Sequence, residues 1–225
     1  MAVGTTVSEL LDRFGRTYAE EAGITLRDEP SPLYRLLVLT VLCSARISAG
    51  TATAAARELS AADLRTPRAM AGARRGTLVA ALGRAHYVRY DESTATALVR
   101  GAELLLDRWN GDLRRLREEA DGEPERIGGL LREFPRIGPV GAGIFRREAQ
   151  AVWPSLRPYF DERVLARARA LGLPGSPAGL AGLVGAEDLA RLAAALTRAG
   201  PAHVGAARAG MSGRRAVARR RAVGR

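Results

Sequence analysis

Lysine is absent from this chain: every one of its 35 Lys and Arg positions is arginine. No side chain can therefore form a Schiff base, and amine catalysis would fall to the N-terminus alone. The single cysteine, Cys43, excludes an internal disulfide. With only two histidines, His86 and His203, it also argues against a cysteine-ligated iron–sulfur cluster or a zinc site, so no metal and no cofactor are expected. Aromatics make up only 5 % of the residues and β-branched runs are few, while Ala, Leu and Gly are abundant within a 47 % hydrophobic total. That balance favours an all-α fold over a sheet. Long apolar runs are missing too. The longest, around Leu36 to Leu42, is too short to span a bilayer, and the N-terminus has no signal-peptide pattern, so a cytoplasmic protein without membrane contact is expected.

The 225 residues that remain to be explained suit one compact body or two interlocked lobes. A net charge of +11 points to a polyanionic partner, nucleic acid before membrane, although an arginine-only usage also arises from codon bias. Residues 210–225 carry six arginines and no acid; a disordered tail with non-specific phosphate affinity is expected there.

Along the chain, helical signals follow one another at short intervals. Thr6 and Glu9 have capping-box spacing and open a helix with Val7, Leu10, Leu11, Phe14 and Tyr18 on one face, ending near Gly23. Ser31-Pro32 starts a helix through Ser44 that is apolar nearly all round and reads as buried. Cys43 lies within it. After a break at Ser44-Ala45-Arg46-Ile47, Ser48 caps a helix through Leu59. Ser60 and Thr66-Pro67 begin two short turns, and Arg74 to Arg84 makes another helix. Asp91 caps a long helix with Ala95, Leu98, Ala102, Leu105, Leu106 and Trp109 in one stripe, closed by Asn110-Gly111. Asp112 to Ala120 is a short charged helix, Gly172 to Gly185 a loop, and Glu187 to Ala199 an amphipathic helix with Leu189, Leu192 and Leu196 inward.

The most informative stretch runs from Leu130 to Leu171. Ile127, Leu130, Leu131 and Phe134 recur at helical spacing until Pro135 stops the helix. In the turn Pro135-Arg136-Ile137-Gly138-Pro139, Gly138 can take a positive φ and Pro139 suits the first position of a new helix. Val140, Ile144, Phe145, Ala149 and Val152 mark that second helix. Nine residues beyond Val152, Asp161 is placed to cap a third. Such a hairpin turns free N–H groups and partial positive charge outward, a seat for a phosphate.

Phe134 to Ala142 resembles the hairpin of the helix-hairpin-helix DNA glycosylases, the superfamily of endonuclease III. In that family an aspartate about twenty residues on, after an aromatic-proline segment, opens the next helix and is catalytic; Asp161 in Tyr159-Phe160-Asp161-Glu162 sits at that spacing. The resemblance covers about Ser31 to Leu171. It implies a two-lobed architecture: residues 31–151 as a helical lobe ending in the hairpin, and residues 1–30 with 152–209 as the second. It implies contacts to lesion-bearing double-stranded DNA through Arg136, Ile137, Gly138, Val140 and Gly141, action as a monomer, and nucleoid association. Arg46 occupies the place of the family's gap-filling glutamine; a guanidinium could stack on an orphan base, and an ordinary surface arginine is the alternative. Tyr87, Tyr159 and Phe160 are candidates for a base pocket, as Tyr90 and Trp153 are, with core packing as the competing role.

Three departures narrow the implied chemistry. The hairpin lysine of the strand-cleaving members is replaced by Val140, so Schiff-base lyase action is not expected. Arg136 stands where the first hairpin glycine belongs, and the four-cysteine cluster is missing. A monofunctional glycosylase follows, in which a carboxylate at a helix start stabilises the oxocarbenium-like sugar and positions or deprotonates water. A non-catalytic lesion or DNA-structure binder is the alternative, and an abasic-site endonuclease or lyase a third.

Overall fold

In the computed structural model, residues 2–199 are described, and every regular element among them is helical: the all-α expectation holds. The expected basic tail lies outside the described residues. Two compact units emerge. The larger is Thr17–Arg157, and the smaller is formed by the flanking chain, Met1–Arg16 with Pro158–Arg225.

The larger unit is built around α3 (Pro30–Cys43), which has proline at its start and nine buried residues, from Leu33 to Leu42, on all its faces. It packs against α4 (Ala49–Ala61), α7 (Asp91–Trp109), α8 (Leu113–Glu119) and α10 (Pro139–Ala149). Thr40, buried within it, donates its hydroxyl to Leu36 C=O at 2.9 Å, whereas the buried Tyr34 hydroxyl of the same helix has no hydrogen-bond partner among the described residues. Around this centre lie α2 (Tyr18–Glu21), α5 (Pro67–Ala71), α6 (Arg75–Arg84) and α9 (Pro124–Leu131). Helix α7 ends as expected, on Asn110 in the left-handed region with φ 52°. The smaller unit packs α1 (Ala2–Phe14) and α11 (Glu162–Ala170) on α13 (Leu189–Arg198), with Leu189, Leu192 and Leu196 buried as expected.

Several boundaries differ from expectation. Thr6 lies inside α1, not at its start; the capping box is Thr17 with Glu20, whose Oε2 accepts Thr17 N–H at 2.7 Å while Thr17 Oγ1 accepts Glu20 N–H at 3.1 Å. The single helix expected to reach Gly23 is therefore two. They part at Gly15, where a Cβ would stand 2.4 Å from Leu11 O. This break coincides with the boundary between units. Residues 17–30 pack with the larger unit because Glu148 of α10 accepts the amides of Tyr18 (3.2 Å) and Ala19 (2.8 Å), and Trp153 Nε1 donates to Asp28 at 2.8 Å. The unit boundaries thus fall at 16/17 and 157/158, where the sequence suggested 30/31 and 151/152. Helix α4 runs on through Ser60 to Ala61, and the stretch 172–185 contains α12 (Pro177–Ala181), capped by Ser176 and anchored by buried Leu180.

Candidate nucleic-acid interface

Helix α9, a turn over residues 132–138, and α10 form a helix–hairpin–helix within the larger unit. The turn packs on α7. The Phe134 ring stacks on Trp109 with centroids 5.6 Å apart, and Phe134 and Pro135 pass 3.7 and 3.9 Å from where a Cβ on Gly101 would be. Glu133, one residue earlier, pairs with Arg108, whose guanidinium lies 4.6 Å over the Trp109 ring. Arg108 also holds Glu119, which accepts the Trp109 indole N–H at 2.7 Å. The Arg108 hydrogen bond and then the indole N–H keep that carboxyl below the usual carboxylate range.

The turn itself differs from expectation in one respect. Gly138 is extended (φ −94°, ψ −169°), and the positive φ falls on Arg136, at 67°. A side-chain-bearing residue in that region carries local strain. What holds it there is a hydrogen-bonded chain. Arg136 Nη1 donates to Thr94 Oγ1 at 2.6 Å and to Ser93 Oγ at 3.2 Å, and the guanidinium lies 5.6 Å from the Tyr90 ring centre. Thr94 Oγ1 in turn donates to Tyr87 Oη at 3.4 Å, and Tyr87 Oη donates to Leu42 C=O at 3.4 Å, near the end of α3.

Tyr87 is thus only 1 % exposed, a core residue and not the lining of an open pocket; burial, first among the causes, raises its phenol pKa. Ile137 is likewise buried beneath the turn.

The second arm begins in the open. Gly138 supplies no side-chain cap, Pro139 has no N–H, and the first backbone bond of the helix is Ala142 N–H to Gly138 C=O at 2.9 Å. The amides of Val140 and Gly141 therefore precede the hydrogen-bonded ladder, and Val140 is 71 % exposed. Just inside, α10 docks tightly on α3. A Cβ on Gly141 would stand 2.6 Å from Ser44 Oγ and 3.3 Å from Ile137 Cγ2. Arg46 follows two residues after Ser44, exposed on the turn that leads to Ser48, which caps α4 by accepting Thr51 N–H. The larger unit therefore gathers the open helix start, Arg136 and the Arg46 turn around the docked ends of α3 and α10. Sequence reasoning passed over Val88, 63 % exposed two residues before Tyr90; one valine in a turn has no periodic pattern to reveal it.

Asp161 belongs to the smaller unit. It is the N-cap of α11, with extended backbone (φ −73°, ψ 165°) and Oδ1 accepting Val164 N–H at 3.0 Å. Phe160 beside it is buried in that unit's core with Val164 and Leu192, so it packs and does not line an open pocket; Tyr159 is half-buried. Trp153 is fully buried in the larger unit. Among the described residues, no group of three His, Cys, Asp or Glu side chains could hold a metal ion, and no helix is long and apolar enough to cross a membrane.

The described chain is thus an all-α protein of two compact units with a helix–hairpin–helix in the larger one. No family model and no curated protein matches it. Among solved structures it is similar, at 16 % identity and a TM-score of 0.47, to a chain described as a trapped endonuclease III–DNA covalent intermediate in an estranged-adenine complex; the likeness covers 86 % of this chain and 84 % of that one.

Proposed function

We propose that the protein is a monofunctional base-excision DNA glycosylase acting on lesion-bearing duplex DNA. The observation that carries this reading is that the chain has both an uncapped, exposed helix start in a hairpin and a carboxylate, Asp161, at the start of the next α-helix in sequence. The amides of Val140 and Gly141 would receive a backbone phosphate, with Ile137 and Gly138 shaping the turn and Arg136 and Arg46 adding positive charge. In the chemistry proposed, the C1′–N bond of the target nucleotide breaks and its electron pair leaves with the base. The base takes a proton from solvent as it departs, matched by the proton that the carboxylate later returns to solvent. The Asp161 carboxylate opposes the positive charge that develops on the sugar, and a water oxygen completes the bond to C1′ as its proton passes to the carboxylate. Without a lysine anywhere in the chain, hydrolysis is favoured over Schiff-base strand cleavage.

The test is a panel of duplexes bearing single lesions, scored separately for base release and strand scission. Base release by the native protein and none by Asp161→Asn, with duplex binding retained, is the expected result; equal activity of the variant overturns the assignment of Asp161. Borohydride is expected to trap no adduct with abasic DNA. A second reading is favoured by one observation: Asp161 already uses Oδ1 as a helix cap, a role that needs no catalysis. In that case the protein binds lesions or DNA structures without cleaving, and the panel yields binding but no released base.

A further inference from the structure

The smaller unit holds an open groove of about 280 Å³ between α11 and α13, lined by Arg163, Ala166, Arg167, Ala170, Leu196 and Thr197. Its charge is one-sided. Arg163 is exposed and Arg167 half-buried, and neither guanidinium has a hydrogen-bonded or ion-pair partner among the described residues. The acids of the same helix are engaged elsewhere: Glu162 pairs with Arg169, and Asp161 caps Val164 N–H. Arg169 is therefore a neutralised arginine on the same helix as two that are not.

Two unpaired arginines four residues apart lie on one helix face, about 6 Å apart along the axis. A DNA strand presents a phosphate about every 3.4 Å of duplex axis, and two long, flexible guanidinium side chains set at that separation can each reach a phosphate of one strand. The wall between them, Ala166, Ala170 and Leu196, is low and apolar. It suits the C–H faces of the sugars that join two phosphates better than it suits a hydrated small anion. Thr197 at the rim donates its hydroxyl proton to Ala193 C=O at 2.8 Å, leaving the groove's cationic character unopposed.

We infer that this groove is a phosphodiester-binding site, a second DNA-backbone contact carried by the smaller unit and separate from the hairpin. The inference rests on the proposal that the protein binds DNA, and adds where and how a second stretch of backbone is held. Arg163 and Arg167 act as backbone contacts: they raise affinity for every duplex, damaged or not, and carry no sequence or lesion preference.

The experiment is duplex binding by fluorescence anisotropy over a range of salt concentrations, with the full chain. Each lost phosphate contact makes the slope of log K against log salt shallower by about 0.9. R163Q/R167Q is expected to flatten it by about 2 and to weaken intact and lesion-bearing duplexes alike. R163K/R167K, which keeps both charges, is expected to retain the native slope, and R169Q, which removes a paired arginine from the same helix, to change it little. A native slope in R163Q/R167Q overturns the groove assignment while leaving DNA binding intact. An equal loss in R169Q also overturns it, because the effect would then be bulk charge. If R163Q/R167Q does not fold, a lowered slope in R163K/R167K overturns it. Failure of the native protein to bind any duplex sinks the DNA-binding reading itself.

Discussion

At the start of α10, Gly138 offers no side chain to the amides that follow it, whereas at the start of α11 the Asp161 carboxylate takes Val164 N–H at 3.0 Å. Both ends carry N–H donors ahead of the helical ladder and partial positive charge, with one donor fewer at α10, where Pro139 has none. A third helix start, that of α2, receives a carboxylate from far along the chain, Glu148, beside its own Thr17–Glu20 box. This molecule therefore satisfies helix starts with its own acids at α2 and α11 and leaves that of α10 without a side-chain cap, which in the proposed function is where a phosphate binds. The difference separates an open helix start from one whose carboxylate is already positioned. It also raises the question that matters most for α11, whether Asp161 does more than cap.

The largest expected effect comes from splitting those two roles at Asp161. Asparagine caps about as well as aspartate, and alanine does not. Asp161→Asn should therefore unfold in urea close to the native midpoint, while Asp161→Ala loses about 0.5–2 kcal/mol. If the carboxylate also works on the sugar, both variants lose base release by about 10²–10⁴-fold, since both lack the charge. Activity that follows stability, retained in asparagine and lost in alanine, would reduce Asp161 to a cap.

The receiving start of α10 can be broken from beneath. A valine at position 141 would force Cβ into the space 2.6 Å from Ser44 Oγ and 3.3 Å from Ile137 Cγ2, lifting the open amides off the end of α3. Overpacking of this kind costs about 1–3 kcal/mol. Cys43, next to Ser44, reports the lift directly. Burial, ahead of the nearby Glu148 charge, pushes its thiol up to about 12, so it should react slowly with a disulfide reagent at pH 8 in the native protein. Gly141→Val should react faster and bind duplex DNA more weakly; an unchanged thiol rate would show that α10 stays docked. Ser44→Ala, which removes the nearest atom, should recover part of the loss in the milder Gly141→Ala.

How legible these features were depends on what each residue reports locally. The buried α3, the caps at Ser48, Thr66 and Asp161, and the proline-delimited hairpin were readable because short-range chemistry decides them. The parting of α1 from α2 was not, since it depends on Glu148, well over a hundred residues away, meeting the amides of Tyr18 and Ala19. Tyr87 and Phe160 were read as pocket candidates because aromatic rings near a turn suit a pocket and a core equally well in sequence. Only tertiary packing shows that each is core. The groove arginines were hidden differently: in a chain with so many arginines, an unpaired one cannot be told from a paired one without the positions of the acids.

The smallest effect concerns how the hairpin holds its shape. Arg136 combines a cost and a gain in one residue: φ of 67° strains the backbone, and Nη1 binds Thr94 and Ser93. Arg136→Ala keeps the strain and loses the bonds. Arg136→Gly loses the bonds as well but is at ease at positive φ, at the expense of a more flexible unfolded chain. The left-handed region costs a residue with Cβ about 1–2 kcal/mol, and the extra freedom of glycine returns about 0.4–1. The glycine variant should therefore be the more stable of the two by up to about 1.6 kcal/mol, read as a higher urea midpoint, with both below the native protein. Equal midpoints would mean that residue 136 is not strained and that its hydrogen bonds alone keep the turn. If both variants also bind duplex more weakly with an unchanged salt slope, Arg136 serves the open helix start by holding the turn; a shallower slope would make it a phosphate contact in its own right.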